Sequence, residues 1–148
     1  MSLLRWLLVM LLLAACNTAA GEAVPEDSWV ADAAAMPSDR IVRALALLGT
    51  PYRKRGVSPE SGFDCSGFVG WVFRQTGVDL PRTAQQMYHA IGEKVERAAV
   101  RPGDLLFFRI GRQGRAINHV AIAIGDGRFV HSPATGGVVR IESLDIPY

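Results

Sequence analysis

The sequence predicts an α+β fold in which N-terminal helices pack on a small antiparallel β-sheet. Segments with the 3.6-residue period of amphipathic helices come first, between residues 38 and 91. Short apolar segments, two of them joined by a glycine-bearing turn, follow between residues 104 and 132. Helices followed by strands are typical of the α+β class.

Three helices are predicted. Ser38 is a suitable N-cap for the first, and Gly49 is expected to end it. The apolar face of this helix is expected to carry Ile41, Ala44, Leu45 and Leu48. The third helix is expected over residues 83–91, with His89 on its surface.

The second predicted helix is the most informative. Asp64 is a good N-cap residue, and Gly77 is the expected C-terminal stop. Its buried stripe consists of Cys65, Phe68, Val69, Val72 and Phe73. Unpaired N–H groups and the positive end of the helix dipole lower the pKa of a cysteine at this position. Cys65 is therefore a candidate nucleophile, although a lone cysteine here is also typical of a small buried hydrophobe.

Two histidines lie in the predicted strands. Residues 104–109 open the sheet, residues 120–124 and 128–132 form a hairpin, and residues 125–127 are its turn. If Ile124 pairs with Arg128, His119 and His131 point to the same face as diagonal neighbours. One imidazole can then touch the thiol while the second touches the first. Histidines in strands are also often buried structural residues.

Six blocks together resemble the NlpC-type cysteine peptidases of bacterial cell walls, in the order and spacing of that family. They are Gly49-Thr50-Pro51-Tyr52, Gly62-Phe63-Asp64-Cys65-Ser66-Gly67-Phe68-Val69, Leu80-Pro81-Arg82-Thr83, Arg101-Pro102-Gly103-Asp104-Leu105, His119-Val120-Ala121-Ile122 and Phe129-Val130-His131.

This resemblance implies a papain-like fold, with Cys65 as nucleophile, His119 as general base and His131 as the residue that orients it. It further implies that Tyr52 supports the oxyanion. Asp64 and Ser66 match the pair flanking the cysteine, which in some members helps to hold amino groups of the substrate.

The sequence departs from the family pattern at two places. The cationic run Arg53-Lys54-Arg55 follows Tyr52, where relatives have an aromatic or apolar residue and paired glycines. It either alters substrate preference or is a solvated loop. The chain ends at Tyr148, where relatives continue into a basic stretch and a last strand. We therefore expect either a truncated chain or a member without its final sheet edge.

The N-terminal segment predicts export and lipid anchoring. Arg5 precedes an apolar run over residues 6–15, which ends in small residues immediately before Cys16. This is similar to a bacterial lipoprotein signal, in which Cys16 is acylated; an ordinary signal peptide is the alternative. We expect residues 1–15 to be a signal peptide, 16–37 an anchored flexible tether and 38–148 the catalytic domain. Asn17 after the cysteine favours the outer membrane, facing the periplasm.

Composition limits the remaining functions. The net charge of +2 argues against nucleic acid as the main partner. Cys16 and Cys65 are the only cysteines, and a bond between them would block the thiol, so no disulfide is expected. The three scattered histidines show no metal-ligand spacing, and neither a metal nor an organic cofactor is implied. Arg109, Arg112 and Arg115 form either a solvated hairpin tip or a rim that meets substrate carboxylates.

We therefore expect a monomeric, lipid-anchored cysteine endopeptidase that acts on peptidoglycan peptides. The bond cut is either D-glutamyl–diaminopimelate or the D-alanyl–diaminopimelate cross-link, and a short anchored domain weakly favours the cross-link. The alternatives are an amidase or acyltransferase on other amide or lipid-like substrates, and a wall-binding lipoprotein without turnover.

Overall fold

The computed structural model describes residues 37–91, 93–111 and 116–145. Its helices are α1 (Pro37–Leu45), α2 (Cys65–Arg74) and α3 (Ala84–Ala90), with a 3₁₀ turn at Arg97–Ala99. Its strands are β1 (Val57–Ser58), β2 (Gly62–Phe63), β3 (Leu105–Phe108), β4 (His119–Gly125), β5 (Arg128–His131) and β6 (Arg140–Ser143). Among these residues no helix is long and apolar enough to span a membrane. The predicted α+β class is confirmed.

The first helix differs from its prediction in its last turn. It begins at Pro37, so Ser38 lies inside the helix and its prediction as the N-cap is wrong, and regular α-helix ends at Leu45. The amides of Leu47 and Leu48 then bond to the carbonyls three residues earlier, 3.2 Å away in each case. This tighter turn rotates Leu47 into the core and leaves Leu48 45% exposed, so the predicted burial of Leu48 is wrong.

The second helix has the predicted start and the predicted buried face. The Asp64 carboxylate accepts a hydrogen bond from Gly67 N at 2.7 Å, which caps the helix. The helix ends at Arg74, and Gly77, with φ of +77°, turns the chain three residues later. Phe68, Val69 and Val72 are completely buried. This core face therefore holds the N-terminus of the helix, and with it Cys65, against the sheet.

The third helix spans Ala84–Ala90, and the ends of the predicted range, Thr83 and Ile91, are its caps. Thr83 is its N-cap, and Thr83 and Gln86 form a reciprocal capping box. Buried Met87 packs this helix into the same core as α2. The helix therefore closes one side of the core, and its N-terminus follows directly after Arg82.

The main sheet is antiparallel, in the order β3-β4-β5-β6. Ile122 pairs with Val130, in the predicted register, but Gly125 rather than Ile124 pairs with Arg128. Asp126 and Gly127 both have positive φ, so the turn has two central residues instead of three. The favoured two-residue turn is accommodated by a register shift between residues 123 and 125.

The fourth strand, β6, was not predicted from the sequence. It pairs with β5, and Arg140 stands opposite His131. The β-branched run Val138-Val139 followed by Ile141 is a strand signal that could have indicated it. Strand β6 places Glu142 on the sheet beside the strand that carries His131.

Candidate active site

Cys65 is the first residue of α2, and its sulfur faces the start of β4. Its Sγ lies 3.9 Å from the carbonyl oxygen of Asn118 and can donate to it. The backbone amide of Val120 also contacts the sulfur, as do the amides of Ser66 and of Cys65 itself. The thiol therefore lies against the backbone on both sides of His119.

The resting protonation of Cys65 differs from the sequence expectation. Burial raises the pKa of the thiol above its ordinary value and outweighs the backbone N–H groups that lower it. The Asp64 carboxylate raises this pKa further. The backbone N–H groups lower the pKa of Cys65 as predicted, but the net direction of the shift is the opposite of the prediction, because desolvation of the thiolate is the larger effect.

The two predicted histidines touch each other. His119 Nε2 lies 2.8 Å from His131 Nδ1, and the two rings are nearly perpendicular at 83°. Both residues are buried, with 3% and 1% of their surface exposed. The contact follows from the β4–β5 register, which places the two side chains on one face as the sequence predicted.

Burial also sets the charge of the histidine pair. Desolvation, followed by the neighbouring His131, lowers the pKa of His119 to about 4. Desolvation lowers the pKa of His131 as well, although the nearby Glu142 carboxylate partly opposes it. At neutral pH the site therefore holds a neutral thiol and neutral imidazoles, and a base must take the thiol proton during the reaction.

Glu142 extends this chain of polar groups. Its Oε2 lies 3.4 Å from His131 Nε2, and its Oε1 accepts hydrogen bonds from Arg140. Sequence reasoning missed Glu142 because it missed β6, and nothing in the local sequence indicates which histidine the carboxylate meets.

Asp64 and Ser66 lie together and share Arg82 as a partner. Arg82 Nη2 contacts Asp64 Oδ2 at 2.7 Å, and Nη1 contacts Asp64 Oδ1 at 3.1 Å and Ser66 Oγ at 2.9 Å. Arg82 was not predicted as a site residue from the sequence. It directly precedes Thr83, the N-cap of α3. A substrate ammonium binding at Asp64 would therefore share the carboxylate with a guanidinium.

Tyr52 lies near enough to Asp64 and Cys65 for their charges to act on its phenol. Its side chain is partly buried, and its backbone amide donates to Gly137 O at 2.8 Å. Burial raises the pKa of the phenol, and the Asp64 and Cys65 charges raise it further. At neutral pH Tyr52 is a neutral O–H donor, which is the form needed to support an oxyanion.

The remaining polar candidates that the structure describes are exposed. The run 53–55 is exposed, and Arg55 has a positive φ of 65°. His89 is exposed on α3, as predicted, and hydrogen-bonds Gln85. Arg109 is exposed, whereas Arg112 and Arg115 lie outside the described residues. In the described part of the chain, no three His, Cys, Asp or Glu side chains are grouped to hold a metal ion.

A groove of about 820 Å³ lies between β3 and the segment that follows α3. Tyr88, Val95 and Phe107 are among its lining residues. Its cations have partners within the fold: Lys94 stacks on Tyr88, and Arg97 donates to Leu144 O. We place the chemistry at Cys65 rather than in this groove, because none of the described residues that line the groove is a cysteine, serine, threonine or histidine.

Comparison with known proteins identifies the family. The model of the NlpC/P60 family matches residues 49–148. The murein DD-endopeptidase MepH of Escherichia coli (strain K12) is 43% identical over 108 residues, which are 72% of this chain and 40% of MepH. The bifunctional muramidase/DL-endopeptidase CwlT of Bacillus subtilis (strain 168) is 45% identical over 93 residues, which are 63% of this chain and 28% of CwlT.

A solved structure gives the same answer at the level of the fold. The crystal structure of an NlpC/P60 family protein from Bacillus cereus ATCC 10987 superposes with a TM-score of 0.70 and 35% identity. The match covers 76% of this chain and 36% of that one. The region that matches this chain thus covers less than half the length of each of the three proteins. The matched region contains every residue of the site described above, and the chain belongs to the NlpC/P60 family.

Proposed function

We propose that this chain is a cysteine endopeptidase that hydrolyses amide bonds in the peptides of peptidoglycan. The observation that carries the proposal is the 2.8 Å contact between His119 and His131, together with the thiol of Cys65, which stands at a capped helix start against the backbone that flanks His119. A nucleophile, a base and a group that orients the base are the parts that covalent acyl transfer requires.

The proposed reaction uses each of these parts in turn. As Cys65 Sγ attacks the scissile carbonyl carbon, its proton passes to His119. The backbone N–H groups of Cys65 and Ser66, with the Tyr52 hydroxyl, stabilise the oxyanion. His119 then gives its proton to the leaving amine as the C–N bond breaks, and it activates the water that releases the acyl group. The neutral resting state of Cys65 and His119 makes His119 a general base rather than a pre-formed imidazolium.

The relatives support the substrate class. One is named a murein DD-endopeptidase and another a DL-endopeptidase. Both names describe cleavage of peptide bonds that involve D-amino acids, at the cross-link or within the stem peptide. Of the two bonds, we favour the D-alanyl–diaminopimelate cross-link, because Arg82 already neutralises the carboxylate of Asp64 that would otherwise attract a free amine.

Digestion of purified sacculi tests this function. The released muropeptides are identified by mass spectrometry, with Cys65→Ala as the control. Cleavage of the cross-link converts dimers to monomers with complete stems, whereas cleavage at the D-glutamyl bond shortens the stem. Hydrolysis by Cys65→Ala would overturn the nucleophile. Binding to sacculi without products would favour a wall-binding lipoprotein, and activity confined to other amides would favour an amidase or acyltransferase.

We further propose that Cys16 carries the lipid and that the enzyme faces the periplasm from the outer membrane. The support is the apolar run that ends in small residues before Cys16, in a segment outside the described residues. Cells that express the full chain should incorporate labelled palmitate, and Cys16→Ser should lose the label and leave the membrane fraction. Equal membrane retention of Cys16→Ser without label would contradict the anchor.

A further inference from the structure

The carboxylate of Glu142 lies at the buried end of the histidine pair. Its side chain is 17% exposed, and its Oε2 faces His131 Nε2 at 3.4 Å. The other oxygen, Oε1, accepts from Arg140 Nε at 2.5 Å, and Arg140 Nη2 contacts the same oxygen. The two oxygens therefore have separate partners, the imidazole for one and the guanidinium for the other.

This arrangement determines where the ring protons lie. An ionised carboxylate can only accept hydrogen bonds, so His131 must carry its proton on Nε2. In a neutral ring His131 Nδ1 is then bare, and it can only accept from His119 Nε2. His119 consequently carries its proton on Nε2, which leaves His119 Nδ1 bare. A bare Nδ1 is what a base needs in order to take the thiol proton.

We propose that Glu142 is a positioning residue that sets the tautomers of His131 and, through it, of His119. The inference deepens the proposed hydrolase function and rests on it, because the tautomer matters only if His119 is the base. Glu142 acts two groups away from the thiol and does not touch the reacting atoms. Its effect is therefore on the rate of proton transfer and not on substrate binding.

Arg140 makes an isosteric test possible. In Glu142→Gln the amide has one accepting oxygen and one donating nitrogen. Arg140 can only donate, so it holds the amide oxygen and directs the amide NH₂ at His131 Nε2. His131 must then carry its proton on Nδ1, and His119 on its own Nδ1. Glu142→Gln thus places a proton on His119 Nδ1, the atom that has to accept the thiol proton, without changing the shape of the side chain at residue 142.

The charged and titratable groups around the histidine pair are few. Glu142 raises the pKa of both imidazoles, while Arg140 lowers that of His131. Cys65 lies beside the backbone of His119. Loss of the Glu142 charge should therefore move the acidic limb of the pH profile of kcat/KM toward lower pH, which a merely structural change would not do.

The decisive measurement is the ring nitrogen protonation of His119 and His131 in the purified full-length chain. Long-range ¹H–¹⁵N spectra should show protonated Nε2 and bare Nδ1 for both rings in the wild type. They should show the opposite pattern in Glu142→Gln. Because this readout needs no substrate, it holds even if the chain fails to cleave peptidoglycan. A wild-type His119 with protonated Nδ1 would overturn the inference whatever the variants do.

Kinetics on one muropeptide provide the second readout. In Glu142→Gln we expect kcat to fall on the order of 10²-fold with little change in KM, because a base in the wrong tautomer cannot accept the proton. Arg140→Met/Glu142→Gln frees the amide to turn its oxygen toward His131 and should recover at least tenfold of that loss. Glu93→Gln, at an exposed position outside the site, is the matched control. Wild-type kcat in Glu142→Gln, or no recovery in the double variant, would refute the role.

Discussion

The Nε2 atom of His119 lies 2.8 Å from the Nδ1 atom of His131, and this contact joins β4 to β5 inside the core. Each imidazole ring thus uses one of its two nitrogens in the contact with the other ring. His131 has its second nitrogen against Glu142, whereas the sulfur of Cys65 lies against the backbone that flanks His119. The two histidines therefore have different second neighbours, and substitutions of His119 and of His131 should differ in their effects.

The first prediction concerns that separation. His119→Ala removes both proton transfers and should lower kcat/KM on the order of 10³-fold or more. His131→Gln can still accept a hydrogen bond from His119, so it should retain much more activity than His131→Ala. Steady-state kinetics on one muropeptide measure both effects. If His119→Asn is tolerated while His131→Asn is inactive, the two roles are reversed.

The second prediction concerns the titration of the thiol. Because burial raises the pKa of the Cys65 thiol above its ordinary value, alkylation by iodoacetamide should accelerate with pH, with a midpoint above that of an ordinary thiol. The Cys16→Ser background leaves Cys65 as the only thiol. The same chain unfolded in urea is the control, and its midpoint should be lower. A midpoint below neutral pH in the folded chain would instead indicate a thiolate–imidazolium pair at rest.

The third prediction concerns stability against pH. His119 has a pKa of about 4 when folded and 6.5 when unfolded, and the pKa of His131 is lowered in the same direction. Between these values the unfolded chain binds more protons, so the free energy of unfolding should fall as the pH drops from about 6.5 toward 4. Urea unfolding at a series of pH values measures this slope.

His119→Gln with His131→Gln is the control for the slope, since the double variant removes both titrating rings. Its free energy of unfolding should change less over the same pH range. An equal slope in wild type and double variant would assign the acid sensitivity to other groups. At alkaline pH the free energy of unfolding should fall as the pH rises, because the unfolded thiol of Cys65 ionises at a lower pH than the buried one.

The fourth prediction concerns the close approach that holds the site. A Cβ on Gly67 would lie 2.0 Å from Gly56 O, so α2 packs directly on the loop before β1. Gly67→Ala should destabilise the fold by about 3 kcal/mol, since backbone rather than a flexible side chain must move. Gly70, three residues along the same helix, has only Met87 Cε near, at 3.9 Å.

Gly70→Ala is therefore the matched control and should stabilise the chain by about 0.5–1 kcal/mol through helix propensity. Urea unfolding of both variants provides the comparison. Equal effects of the two substitutions would show that the contact between Gly67 and Gly56 does not limit packing.

Local chemistry explains the parts of the fold that could be predicted from the sequence. The caps at Asp64 and Thr83 depend on hydrogen bonds within three residues, so their residue types are sufficient to place the helix starts. The β4–β5 pairing depends on alternation around a short turn. That register is enough to bring His119 and His131 together.

Tertiary structure decided what depends on distance or burial. The pairing of β6 with β5, which brings Glu142 to His131, and the ion pair of Arg82 with Asp64 both join segments that are distant in the sequence, and no local pattern specifies these partners. The pKa of Cys65 is the clearest example. The sequence determined that a thiol stands at a helix N-terminus, where the backbone N–H groups lower its pKa. Only the folded chain determined how much water is removed from the thiol, and this desolvation has the larger effect.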